Sequence, residues 1–116
     1  MAKNDLQGTL DLLVLKTLSQ TRSLHGYGIV LHIQRASDDL LRVEEGSLYP
    51  ALHRMEQSGW IASEWSVTDT NRKAKFYQLT AAGKKQLVHE TNRWRQMARA
   101  IGLVMGDKTL VEGGNP

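Results

Sequence analysis

The sequence predicts a mainly α protein that carries one small β-hairpin. Apolar residues recur at spacings of three and four in four segments, which is typical of amphipathic helices. Two runs rich in aromatic and β-branched residues enclose a polar, turn-prone segment, as expected of a hairpin. With 116 residues, of which 41% are hydrophobic and 23% charged, the chain suffices for one domain with a modest core.

The first part of the chain predicts two helices. Asn4 or Asp5 can cap the first helix, and residues 21–23 (TRS) interrupt it. Gly26 and Gly28 open the second helix, where the absence of a side chain favours close approach of a neighbouring element. We therefore expect these two glycines to serve helix packing.

A short strand over residues 40–43 and a third helix are predicted next. Ser47 is a suitable N-cap for this helix, Pro50 then lies in its first turn, and Gly59 follows its end. Its inward stripe is expected to consist of Leu48, Leu52 and Met55.

The hairpin and a long last helix complete the chain. Residues 60–67 and 75–79 form the two strand-like runs, and residues 68–73 form a tip with basic residues. Thr80 caps a helix over residues 81–105, whose apolar seam is suited to packing against another helix. The domain organisation predicted is a winged helix-turn-helix over residues 1–80, a dimerisation helix over 81–105 and a flexible tail over 106–116.

Several classes of protein are excluded or disfavoured by composition. The chain has no cysteine, and its four histidines have no metal-ligand spacing, so we predict no metal site, no cofactor and no catalytic residues. The longest apolar stretch is too short to span a bilayer, and the N-terminus lacks the apolar core of a signal peptide. These features favour a cytoplasmic protein without a membrane partner.

The charge distribution is uneven. The net charge is +3, yet residues 72–99 hold eight Lys or Arg against one acid, and residues 38–69 hold seven acids against two Arg. An anionic partner is favoured, but it must be contacted by selected positions rather than by the whole surface.

Three helices followed by a hairpin are typical of a winged helix, whose third helix enters the DNA major groove while the wing contacts the adjacent backbone. The candidate DNA-binding residues are Tyr27, Ser47, Tyr49, Pro50, His53, Arg54, Arg72, Lys73 and Lys75. Other readings stay open: Tyr49 could pack on the wing, His53 could be merely solvated, and the basic tip could be an ordinary loop. The alternative function is a winged helix that docks another protein, although such a surface should expose apolar anchors.

Four ordered motifs resemble the PadR family of bacterial transcription regulators. They are residues 24–29 (LHGYGI), 46–56 (GSLYPALHRME), 59–61 (GWI) and 76–83 (FYQLTAAG). The resemblance implies a homodimer joined through the first and last helices, binding a palindromic operator and usually repressing efflux or detoxification genes. The single C-terminal helix is similar to the smaller branch of the family, some members of which bind flat aromatic compounds at the dimer interface through a tryptophan.

Trp94 is the matching tryptophan. A large aromatic residue on a helical seam is more often part of a dimer core than a ligand platform, and both roles can hold at once if the core contains a cavity. The candidate effector-binding residues are Trp94, Met97, Ala98 and Ile101. The candidate dimer-interface residues are Leu6, Leu10, Leu13, Leu87, Trp94, Ile101 and Met105. Trp60 and Trp65 are expected to fill the space between the sheet and the helices.

Overall fold

The computed structural model describes residues 3–111, with side chains from residue 8 onward except that of residue 110. The described elements follow one another as α1 (Lys3–Ser19), β1 (Leu24–His25), α2 (Gly26–Ala36), α3 (Glu45–Gln57), β2 (Ile61–Val67), β3 (Lys73–Leu79), α4 (Ala81–Met105) and α5 (Lys108–Val111). The predicted class is confirmed: helices dominate, and one small antiparallel sheet lies beside them.

The core lies where α1, α2 and α3 meet the base of the sheet. Each of these helices contributes apolar residues at helical spacing, and Ile61 and Tyr77 close the core from the strands. The predicted inward stripe of α3 is confirmed, with Ala51 added to it. The buried apolar residues are Val14, Leu15, Leu18, Ile29, Ile33, Leu48, Ala51, Leu52, Met55, Ile61 and Tyr77.

The sheet has three strands in the order β1-β3-β2. The hairpin is confirmed, with Ile61 paired to Leu79 at its base and Val67 to Lys73 at its tip. The prediction of a strand over residues 40–43 is wrong, because this segment is a loop. The third strand is β1, only two residues long, which forms because it finds the free edge of β3.

Two predicted helix starts are corrected. α1 already begins at Lys3, so Asn4 and Asp5 lie within it rather than capping it. α3 begins at Glu45 with Glu44 as its N-cap, so the predicted capping role of Ser47 is wrong. Pro50 consequently lies in the second turn, where it removes a hydrogen bond that the helix would otherwise make.

The predicted bounds of the long helix are confirmed. Thr80 caps α4 by accepting a hydrogen bond from the Gly83 backbone N–H at 3.0 Å, and Gly106 ends it in the left-handed region with φ of 71°. At 1.5 Å per residue this helix is about 37 Å long. Within the tail that was predicted to be flexible, residues 108–111 form the short helix α5. Residues 112–116 lie outside the described residues.

The start of α4 is held against the segment that links α3 to β2. The Thr80 hydroxyl donates to the Gly59 carbonyl at 2.6 Å, and the Thr80 N–H donates to the Trp60 carbonyl at 3.1 Å. Gly83 lies so close to this segment that a Cβ there would overlap the Trp60 carbonyl oxygen. A residue without a side chain is therefore required at this junction.

Candidate nucleic-acid interface

The outward face of α3 is polar and open to solvent. Ser47, Tyr49, Pro50 and His53 are exposed on it, opposite the buried stripe. These side chains can hydrogen-bond to phosphate oxygens or to base edges without disturbing the core. The face has the shape and chemistry of a recognition helix.

Tyr49 is held in place by the start of α2. Its ring lies so close to Gly26 that an added Cβ would be 2.7 Å from the phenolic oxygen, which confirms the predicted packing role of this glycine. Burial, and secondarily the nearby Glu45 carboxylate, raise the pKa of Tyr49, so its hydroxyl stays a neutral donor. Tyr27, next to Gly26 in the chain, is 54% exposed. Tyr49 is itself 46% exposed, so it contacts α2 and is also open to solvent.

The base-reading role predicted for Arg54 is not supported by the structure. Its guanidinium donates two hydrogen bonds to the Asp11 carboxylate of α1, at 2.7 and 2.9 Å. This hydrogen bonding raises the pKa of Arg54 against the opposing effect of burial, and the charges of Asp11 and Glu90 add to the increase. A fork-to-fork pair of this kind fixes orientation as well as distance. Arg54 therefore joins the recognition helix to α1.

Two buried carboxylates were not anticipated from the sequence. Asp11 is 5% exposed and Glu90 on α4 is 6% exposed. Glu90 accepts hydrogen bonds from Gln86 at 3.1 Å and from Arg93 at 3.3 Å. Asp11 could have been identified because it lies within an apolar run of the first helix. A carboxylate buried there needs a basic or hydrogen-bonding partner.

The wing presents its basic residues at a well-formed turn. The Thr68 N–H donates a hydrogen bond to the Arg72 carbonyl at 2.8 Å, and the Arg72 N–H donates one to the Thr68 hydroxyl at 3.1 Å. Between them, Asn71 adopts a left-handed conformation with φ of 62°. Arg72 and Lys73 are exposed beside this turn. Lys75, lower on β3, lies 3.8 Å from the Glu56 carboxylate of α3, so its charge is partly balanced within the chain.

The two wing tryptophans differ from one another. Trp60 is partly buried and packs against the core, as predicted. The prediction for Trp65 is wrong: its side chain is 63% exposed, because β2 extends beyond the helices that cover its base.

α4 carries a series of exposed apolar residues. Trp94, Met97 and Ile101 are 51%, 46% and 43% exposed, and Met105 is more exposed still. Of the other predicted dimer-interface residues, Leu10, Leu13 and Leu87 are partly buried against the chain's own core. The side chain of Leu6 lies outside the described residues.

A cavity of about 80 Å³ lies between α1 and α4. Of the four predicted effector residues, Trp94 and Met97 line it, whereas Ala98 and Ile101 do not. This volume is well below that of pockets that enclose drug-sized ligands. The lining residues are Gly8, Thr9, Leu12, Glu90, Arg93, Trp94 and Met97.

Within residues 3–111, no helix is long and apolar enough to cross a membrane. The same part of the chain holds no group of three or more side chains suited to a metal ion.

Residues 14–89 match the profile of the transcriptional regulator PadR-like family. A transcriptional regulator of Mycobacterium tuberculosis is 34% identical over 84 residues, covering 72% of this chain and 64% of the relative. A transcriptional regulator from Clostridium thermocellum superposes with a TM-score of 0.75 at 25% identity, covering 88% of this chain and 95% of that one. Bacillus subtilis PadR, solved in complex with operator DNA, has a TM-score of 0.62 at 25% identity, covering 70% and 45%.

Proposed function

Because the chain belongs to the PadR-like family of transcriptional regulators, we propose that it is a cytoplasmic, sequence-specific DNA-binding protein. We propose further that it is a homodimeric repressor of efflux or detoxification genes. The observation that supports DNA binding most directly is the exposed polar face of α3 together with a wing that carries Arg72 and Lys73 at its tip. The operator complex of Bacillus subtilis PadR is consistent with this use of the fold.

The two surfaces have different tasks in this proposal. The α3 face has little net positive charge, so it sets the register on the duplex and reads bases through Tyr49 and His53. Arg72 and Lys73 supply attraction to the phosphate backbone, which is the main source of affinity and of its salt dependence. Tyr27 adds a contact beside Tyr49.

Removing the wing cations tests this assignment. We expect Arg72→Ala with Lys73→Ala to lower the slope of log affinity against log salt by about four for the operator-bound dimer, since each of its two wings loses two cations and each phosphate contact releases roughly one counterion. The measurement is fluorescence anisotropy, over a range of salt, with a duplex that the wild-type protein selects from a random pool. Lys84→Ala with Lys85→Ala is the matched control, because it removes the same charge from exposed positions on α4. An unchanged slope in the wing variant would show that the tip does not contact DNA.

Dimerisation through the C-terminal helix is supported by its exposed apolar residues. Trp94, Ile101 and Met105 lie at helical spacing on α4 and remain open in the single chain. A second copy would cover them and place two recognition helices about 34 Å apart, which calls for a palindromic operator. Light scattering should give twice the 13.0 kDa chain mass, and a monomer at micromolar concentration would contradict the proposal.

We also propose that the crevice beside Trp94 binds a small planar aromatic effector once two chains combine. The cavity in one chain is too small, but its wall includes the half-exposed indole, which is suited to stacking. Planar aromatic dyes should quench tryptophan fluorescence in the wild type, and Trp94→Leu should lose the quenching. Quenching that persists in this variant, with the dimer intact, would place the ligand elsewhere.

A further inference from the structure

The exposed Trp65 belongs to one face of the hairpin. Ser63, Trp65 and Val67 alternate along β2 and therefore point to the same side. Trp65 is paired with Lys75 and Val67 with Lys73, and directly opposed residues share a face. We call Trp65, Val67, Lys73 and Lys75 the inner wing face.

Contacts with Glu56 of α3 define the direction of this face. The Ser63 hydroxyl donates to one Glu56 oxygen at 2.6 Å, and the Lys75 ammonium lies 3.8 Å from the other. The inner wing face is therefore on the side of the sheet that looks towards the recognition helix. Trp65 lies two residues beyond Ser63, about 7 Å farther out along the strand.

Exposure changes along this same face. Ile61 and Tyr77, at its base, are 2% and 6% exposed because the helices cover them. Trp65 and Val67, towards its tip, are 63% and 56% exposed. Two apolar side chains left open together beside two lysines indicate a contact made with a partner rather than with the chain.

The charges around Trp65 favour nucleic acid as that partner. Lys73 and Lys75 lie opposite the two apolar side chains, and Arg72 follows at the turn. The Glu56 carboxylate of α3 also borders this face, where it lies 3.8 Å from Lys75 and partly balances its charge. Glu64, the acid of β2, points to the other side of the sheet, as strand alternation requires. A protein-docking patch would be depleted of lysine, whereas a DNA contact combines cations with an apolar wedge.

We propose that the inner wing face contacts the duplex next to the groove occupied by α3, with Trp65 against the sugar edges of the flanking minor groove. The indole supplies an apolar surface for the deoxyribose walls and one N–H for the acceptors on the groove floor. Lys73 holds the adjacent phosphates. This inference rests on the proposed DNA-binding function and adds a contact residue to it.

The test uses the duplex selected by the wild-type protein from a random pool. We expect Trp65→Ala to raise Kd about tenfold, in line with the contribution of aromatic contacts to nucleic-acid binding, and Trp65→Phe to raise it less. In hydroxyl-radical footprinting, Trp65→Ala should lose protection of the flanking sugars while protection near the α3 contacts persists. Leu40→Ala is the control, because it truncates a side chain that is 85% exposed in a loop; its Kd and footprint should match the wild type.

The outcomes separate the two levels of the proposal. If no duplex is recovered from the pool, the DNA-binding function itself is wrong. If a duplex is recovered but Trp65→Ala changes neither Kd nor the flanking footprint, the inference about Trp65 is overturned and a wing that docks protein becomes the better reading. Equal thermal midpoints for Trp65→Ala and the wild type would show that the variant is folded, as expected for an exposed side chain.

Discussion

Replacing Arg54 with alanine is expected to lower the free energy of unfolding by about 3 kcal/mol. The substitution removes both hydrogen bonds from the Asp11 carboxylate, whose side chain is 7% exposed and cannot regain full hydration. Leaving a buried charge without its partner costs more than the pair contributes when intact. Urea unfolding followed by circular dichroism measures this effect.

A double-mutant cycle with Asp11 separates this cause from lost packing. We expect Asp11→Asn to be milder than Arg54→Ala, because the Arg54 side chain is 40% exposed and can be hydrated. Asp11→Asn combined with Arg54→Ala should then be more stable than Arg54→Ala alone, because no buried charge remains. Arg42→Ala, in the exposed loop before α3, should change stability by less than about 0.5 kcal/mol. If the double variant were no more stable than Arg54→Ala, the unpaired Asp11 carboxylate would not be the cause of the destabilisation.

Replacing Gly83 with alanine is expected to destabilise the fold by about 3 kcal/mol, despite the higher helix propensity of alanine. The added methyl group would overlap the Trp60 carbonyl oxygen and lie 2.6 Å from a methyl carbon of Leu79. That carbonyl belongs to the backbone and accepts the Thr80 N–H, so it can move only if the junction between α4 and the sheet opens. The thermal midpoint and the urea midpoint should both fall.

The same substitution at Gly8 is the matched control. Gly8 also lies within a helix, but a Cβ there meets nothing within 4 Å. Gly8→Ala should therefore raise stability by up to about 1 kcal/mol through helix propensity alone. If Gly83→Ala were as stable as the wild type, the close approach of α4 to the Trp60 segment would be wrong.

Features determined by local chemistry were predictable from the sequence. The Thr80 cap, the end of α3 near Gly59 and the existence of the hairpin depend on residues within a few positions of one another, although β3 begins at Lys73, two residues before the predicted start. The apolar spacing likewise identified the buried stripe of α3, since helical periodicity alone fixes which residues share a face.

The features that were missed depend on distant partners. Arg54 finds Asp11 across 43 positions, and only the packing angle of α1 against α3 turns its guanidinium inward. β1 is only two residues long, which is too short to give a strand pattern in the sequence. It forms because Leu24 and His25 pair with the open edge of β3. The aromatic character of Trp65 favoured burial, but the sequence could not show that the core ends before this position on β2.

The wing tip has a consequence for the thermodynamics of binding. Thr68 forms hydrogen bonds with both the N–H and the carbonyl of Arg72, and Asn71 adopts the left-handed conformation that closes the loop. Asparagine tolerates this conformation better than most residues, so the turn forms with little strain. The backbone that carries Arg72 and Lys73 is therefore ordered before DNA arrives. In the complex that we propose, the conformational entropy lost on association would be confined to the side chains, and more of the electrostatic attraction would remain as affinity.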